Sequence, residues 1–133
     1  MASSPQFAAT ARTSAAQFVA ADGTNPKTVC LAGSNGTVIE ALFVVSNDTT
    51  ARTVTCYLHD GSMTYILDSV SVPAGTTAIP VVHVPILSPG RWPWIDPNLP
   101  KMVLAGGWSI RAAMESAVSS GREVTVIALH GDF

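Results

Sequence analysis

Short turn-forming clusters divide this chain at close intervals, and this spacing constrains the fold more than any other feature of the sequence. From Asn25 onward, clusters such as GSNG, SNDTT, HDGS and SSGRE recur every 8 to 15 residues, separated by segments rich in Val, Ile and Thr. The segments predict about eight strands, near residues 27–32, 37–46, 51–59, 63–71, 77–87, 101–105, 108–115 and 123–130. Because no segment predicts a helix that could cross between parallel strands, we expect an all-β antiparallel β-sandwich, and the strand count favours jelly-roll connectivity.

The side-chain pattern indicates where the strands lie. Segments 51–59 and 108–115 alternate apolar and polar residues, which is typical of a strand with one side in the core. Segments 37–46 and 123–130 are apolar on both faces. We therefore expect these two strands to lie centrally or to be covered on their second side.

The first 24 residues differ in composition from the remainder. Residues 1–24 are rich in Ala, Ser, Thr and Gln, and Phe7, Phe18 and Val19 are their apolar anchors. A short helix over 14–21 is one interpretation. We favour an extended N-terminal arm that places Phe7 and Phe18 against a neighbouring protein, followed by a sandwich domain over 25–133.

Composition points to a protein partner. Apolar residues make up 47% of the chain and charged residues 12%, against about a quarter charged in a typical domain. So few charges favour a surface covered by further copies of the chain, as a homodimer or homotrimer, or by a larger assembly. The net charge of -2 argues against nucleic-acid binding.

The remaining global features concern the compartment. No apolar run approaches the ~18 residues of a membrane span, and the first residues lack the apolar block of a signal peptide, so we expect no membrane partner and synthesis without passage through a secretion channel. Cys30 and Cys56 have no metal or redox spacing, which favours buried thiols and leaves a disulfide between them open.

Two short sequences offer catalytic or metal-binding chemistry. His59-Asp60-Gly61 and His130-Gly131-Asp132 each place an imidazole near a carboxylate, as a metal site or a general base requires. We favour a hairpin turn for the first and a chain end for the second, and a strand position for His83. Since no nucleophile elbow, phosphate-binding loop or carboxylate pair stands out, we expect no enzyme activity and no cofactor or metal.

The loop LSPGRWPWIDPNLP, residues 87–100, is the strongest candidate for a binding site. Its prolines stiffen the backbone and so lower the entropy lost on docking. Rigid tryptophans beside an arginine have the composition of an interface hot spot, so we assign a protein interface to Arg91, Trp92, Trp94 and Ile95. Packing at one end of the core and binding of a glycan remain alternatives.

Two parts of the chain resemble a known family. LAGSNGTVIEALFVVSNDTTARTVTCYLHDG (31–61) and GGWSIRAAMES...VTVIALHGDF (106–133) resemble small β-sandwich virion structural proteins of tailed bacteriophages and prophages. The resemblance covers less than half of the chain, and its motifs are turns and strands. His130 stands where glycine is commoner in that family, and the proline-tryptophan loop is longer.

The resemblance implies a structural role and no catalytic residues. It implies a capsid decoration or cement protein on the virion surface, bound to the major capsid protein and stabilising the shell. A tail, fibre or head–tail component, including a receptor- or glycan-binding module, is the alternative.

Overall fold

The computed structural model describes residues 10–88, 91–92, 95, 98 and 101–133, and these form nine β-strands with one short 3₁₀ turn at Ala20–Asp22. The strands are β1 (Thr10–Phe18), β2 (Lys27–Leu31), β3 (Thr37–Ser46), β4 (Arg52–His59), β5 (Thr64–Val72), β6 (Val82–Pro85), β7 (Met102–Leu104), β8 (Ser109–Met114) and β9 (Val124–Asp132).

The strands form two antiparallel sheets. The first, which we call sheet A, has the order β1-β9-β3-β6, and β7 also pairs with β3. Strands β6 and β7 pair with opposite ends of β3, at 43–46 and 37–39. The second, sheet B, has the order β2-β8-β4-β5.

This strand order is that of a jelly roll. Along the chain, β1 and β2 enter opposite sheets, β3 returns to sheet A, β4 and β5 belong to sheet B, and the last two strands lie beside β2 and β1. Without the short β7, the connectivity is that of the eight-stranded double Greek key. The predicted antiparallel sandwich is therefore confirmed.

The core fills the space between the sheets. Phe18, Ile39, Leu42, Ile86, Ile110 and Met114 are its largest fully buried side chains, and all but Ile86 belong to strands. Strand β3 lies between β9 and β6/β7, and β9 lies between β1 and β3, so the two segments that are apolar on both faces do lie centrally.

The N-terminal segment differs from the expected arm. Residues 10–18 are an edge strand of sheet A that pairs with β9 along its whole length, from Thr10 opposite Asp132 to Phe18 opposite Val124. Phe18 is fully buried in the core of its own chain, so its assignment to an intermolecular interface was wrong. The reason is that Ser14, Ala16 and Phe18 share the inward face, and small side chains fit there without an obvious apolar stripe. Phe7 lies outside the described residues.

Most strand positions agree with those predicted, and the chief difference is the segment at 77–87. Only Val82–Pro85 forms a strand, because Ile86 and Leu87 leave the ladder and donate their amides to the Leu42 carbonyl. None of the described residues belongs to a helix long and apolar enough to cross a membrane.

Candidate functional site

Two described residues of the proline-tryptophan loop, Trp92 and Ile95, lie in the core. Trp92 and Ile95 are each 5% exposed and belong to the core cluster. The indole Nε1 of Trp92 donates to Asp68 Oδ2 over 2.9 Å, which satisfies its polar atom. The assignment of these two residues to a protein interface was therefore wrong, because both side chains are buried in the core of their own chain. Trp94 lies outside the described residues.

Arg91 holds this loop to sheet B. Its Nε and Nη2 atoms donate to the Asp68 carboxylate at 2.9–3.1 Å, and Nη2 also donates to the Ser69 carbonyl over 2.9 Å. About a third of the side chain, 35%, remains exposed. A guanidinium in this forked geometry is already committed to its own chain, and so its main effect is to position the loop.

The HDG sequence is a hairpin turn, as predicted. The Asp60 amide donates to the Met63 carbonyl, and the Asp60 carboxylate accepts from the amides of Ser62 and Met63. These hydrogen bonds lower the pKa of Asp60. Gly61 has a φ of +102°, a conformation that favours glycine.

The C-terminal HGD sequence is part of a polar cluster at one end of sheet A. His130 Nε2 lies 2.9 Å from Ser14 Oγ, and its Nδ1 lies 3.7 Å from Asp132 Oδ1, beyond hydrogen-bonding distance. Asp132 instead accepts from Thr37 Oγ1 over 2.6 Å and from Arg12 over 2.9 Å, and these hydrogen bonds lower its pKa. The cluster therefore ties β1, β3 and β9 together.

The order Ser14–His130–Asp132 is that of a serine nucleophile with its base, but the geometry does not suit catalysis. The His130 side chain is fully buried, and burial lowers its pKa. Ser14 and His130 both lie on the core-facing side of their strands, so a substrate could reach Nε2 only if the sheet opened. The missing hydrogen bond from Nδ1 also leaves the imidazole without an orienting carboxylate.

Other titratable residues are arranged for packing. Cys30 and Cys56 are free buried thiols, and burial raises their pKa values to about 11 and about 12. Across the described ranges, no group of three or more His, Cys, Asp or Glu side chains could hold a metal ion. His59 shares a hydrogen bond with Thr64, and His83 is an exposed residue of β6.

One buried ion pair was not foreseen from the sequence. Asp48 is fully buried and accepts from Arg52 Nε over 2.8 Å and from the amides of Thr50 and Ser119. Burial opposes its ionisation, but these hydrogen bonds outweigh burial and lower its pKa. The available signal was the turn sequence SNDTT followed by an arginine four residues after the aspartate.

The outer face of sheet A carries many apolar side chains. We call it the sheet A face, and it consists of the side chains of β1, β9, β3, β6 and β7 that point away from sheet B. Its apolar members are Ala11, Ala15, Val38, Ala41, Phe43, Val45, Val81, Pro85, Val103, Ile127 and Leu129.

Exposure and register make this face a continuous surface. Val103, Val81 and Leu129 are 65%, 42% and 41% exposed. Across the middle, Phe43 lies opposite both Ile127 and Pro85, so one apolar row crosses the sheet. With a strand spacing of ~4.8 Å and a rise of ~3.4 Å per residue, the face measures roughly 20 by 24 Å, or about 500 Å².

A second apolar feature lies at the end of the sandwich. Tyr65 and Trp108 stack with ring centroids 6.1 Å apart. Beside them is a cavity of about 240 Å³ lined by Leu58, Met102, Val103, Leu104, Ala105 and Trp108. All of these lining residues are apolar, whereas a sugar site needs several convergent polar groups.

Comparison with known proteins finds similarity only among solved structures. No protein-family model matches the chain, and no curated protein matches it. Among solved structures, the chain is similar to the Drosophila NLP core, with a TM-score of 0.47 and 8% identity over 89% of this chain and 96% of that one.

Two viral proteins show the same kind of likeness. A pentameric capsid protein from metagenomic phage sequences has a TM-score of 0.39 and 20% identity over 90% of this chain, which spans only 60% of that protein. The extra small virus of the prawn Macrobrachium rosenbergii has a TM-score of 0.37 and 12% identity, covering 98% and 84% of the two chains. At these scores the similarity is distant and identifies no shared function.

Proposed function

We propose that this protein is a non-enzymatic structural protein of a tailed-phage virion, and that it decorates or cements the capsid shell. In this proposal the sheet A face binds the major capsid protein at the virion surface, and the chain also associates with itself as a homodimer or homotrimer.

The observation that carries the proposal is the apolar sheet A face. A sheet face of about 500 Å² on which Val103, Val81 and Leu129 are 41–65% exposed has a surface suited to burial against another protein. Two surfaces of this size bury about 1,000 Å² in total, which is the lower range for a specific protein contact. Residues 31–61 and 106–133 resemble virion structural proteins, and this resemblance favours a capsid protein as the partner that covers the sheet A face.

The low charge of the chain supports the same role. Lys101 and Glu40 form an ion pair at 3.4 Å beside Val38 and Val103. Both side chains are about half exposed, so the pair lies in solvent. With few charges to desolvate, the centre of the face can pack against a shell at little electrostatic cost. Many copies on one particle would add their contacts, so each contact can be modest.

A matched pair of variants tests the proposal. Leu129→Asp places a charge in the centre of the sheet A face, and Ile66→Asp places the same charge on the outer face of sheet B, where Ile66 is 78% exposed. Purified protein is added to capsid shells that lack it, and bound protein is measured by co-sedimentation after its mass is determined by light scattering.

We expect the unmodified protein and Ile66→Asp to saturate the shells at a fixed ratio per capsomer, with binding by Leu129→Asp weakened at least tenfold, or about 1.4 kcal/mol. Equal binding by both variants would exclude the sheet A face. A stable monomer that ignores shells would exclude the decoration role and favour a tail, fibre or head–tail component.

A further inference from the structure

An unpaired arginine lies on the opposite side of the molecule from the sheet A face. Arg111 is in the central strand β8 of sheet B, and its neighbours across the ladder are Thr28 on β2 and Tyr57 on β4, both uncharged. Its Nε atom is buried and has no hydrogen-bond partner in the part of the chain that the structure describes.

Five other cations have carboxylate partners, while Arg122 lies exposed in a turn. Arg12, Lys27, Arg52, Arg91 and Lys101 each pair with an Asp or Glu of the described chain. Arg111 is half-buried without any such pair among these residues. An Nε–H that loses water without gaining an acceptor is destabilising, and an acceptor from a partner would remove that cost.

The guanidinium lies in a small pocket. The pocket has a volume of about 140 Å³ and is lined by Thr24, Pro26, Tyr57, Thr64, Arg111 and Ala113. The arginine and the hydroxyls of Tyr57 and Thr24 can supply hydrogen-bond donors, the Thr64 hydroxyl is shared with His59, and no lining residue is acidic. A pocket that offers hydrogen-bond donors and contains no carboxylate of its own favours an anionic ligand.

The size of the pocket limits the ligand. Sites for whole small molecules have volumes of about 300–1,000 Å³, whereas this pocket holds the volume of four or five waters at ~30 Å³ each. A single carboxylate group on a short stem fits. A guanidinium binds a carboxylate with two parallel hydrogen bonds, which favours this acceptor over a neutral carbonyl.

The surroundings indicate that the carboxylate belongs to a protein. Ile66 lies opposite Tyr57 on the same face and is 78% exposed. Arginine and tyrosine beside an exposed aliphatic side chain form the usual composition of an interface hot spot.

We propose that the Arg111 pocket binds the carboxylate of an Asp or Glu side chain presented by a partner protein. The pocket is on sheet B and its assignment does not depend on the proposed decoration role. A partner that engages it would lie on the face opposite the one that contacts the shell.

The test uses the smallest probes that carry this chemistry. N-acetyl-glutamate methylamide is titrated into the full chain at constant ionic strength, with the neutral N-acetyl-glutamine methylamide as its matched control, because salt screens the interaction. Binding is followed by NMR, through the Arg111 Nε–Hε signal and the backbone amides of 57 and 111.

We expect saturable shifts with the glutamate probe and at least tenfold weaker binding of the glutamine probe. Arg111→Gln should weaken glutamate binding at least tenfold, whereas Arg122→Gln, which removes the same charge from an exposed turn, should not change it. Ala113→Leu keeps the arginine but fills the pocket, so it should also abolish glutamate binding. If Arg111→Gln does not fold, this second variant still tests whether the pocket is the binding site.

Three results would overturn the proposal. They are equal binding of the two probes, unchanged glutamate binding in both Arg111→Gln and Ala113→Leu, and binding of glucuronate at least tenfold tighter than the glutamate probe. The last result would assign the pocket to an acidic sugar.

Discussion

Replacing Trp92 with alanine is expected to destabilise the isolated domain severely. Trp92 is 5% exposed, and a buried tryptophan removes about 150–250 Å² from water. At ~25 cal/mol per Å² this burial corresponds to about 4–6 kcal/mol, and measured Trp→Ala costs of about 3–5 kcal/mol are consistent with it. Loss of the Nε1 hydrogen bond to Asp68 is partly offset, because Asp68 keeps the Arg91 fork.

The expected loss is therefore about 4 kcal/mol, a large part of the ~5–15 kcal/mol that stabilises a typical domain. The measurement is urea unfolding followed by far-ultraviolet circular dichroism, with linear extrapolation to water. Trp92→Phe is the control, since it keeps most of the apolar volume but removes the indole N–H and part of the ring system, and it should cost about 1–2 kcal/mol.

A particular result would refute this reasoning. If Trp92→Ala lost less than about 1 kcal/mol in unfolding free energy yet bound capsid shells more weakly, the side chain would act at an interface and the argument from burial would be wrong. Equal losses for the alanine and phenylalanine variants would place the effect in the hydrogen bond to Asp68 rather than in packing.

Three further predictions concern buried polar groups. Asp48→Asn should cost about 3 kcal/mol, because it leaves the Arg52 guanidinium without its buried counter-charge, and a loss below about 1 kcal/mol in the same urea assay would contradict this. The folded state keeps His130 neutral below its usual pKa of 6.5, so the unfolded chain binds more protons and stability should fall as the pH drops from 7 to 5; His130→Gln should flatten that slope, and an unchanged slope would exclude His130 as its source. Cys30 and Cys56 should react with a thiol reagent at pH 8 only after unfolding, since burial keeps both protonated, and prompt labelling of the native protein would show that they are accessible.

Local pattern predicted the interior strands well. The HDG hairpin followed from a short-range rule, since Asp60 caps its own turn and Gly61 supplies the positive φ. The apolar character of 37–46 and 123–130 on both faces predicted that these strands lie centrally, and the same pattern is the origin of the sheet A face. The period of two is visible in sequence wherever the two faces of a strand differ in polarity.

The candidate sites were predicted less well than the strands. Residues 10–18 were taken for an arm because alanine, serine and threonine show no contrast between faces, although β9 gives them a partner more than a hundred residues away. The tryptophan loop has the composition of an interface, and composition does not distinguish a side chain that meets another protein from one that closes its own core.

The sequence by itself determined the class of structure: turn positions, strand periods and low charge required a sandwich of short antiparallel strands with unusual apolar area. Only the tertiary structure decided which polar groups meet. It paired Asp68 with Arg91 and Trp92, buried Asp48 beside Arg52, and left Arg111 without a carboxylate partner among the described residues. The physical reason is that strand periodicity is set by nearest neighbours along the chain, whereas these pairings depend on which strands the register brings together across the whole fold.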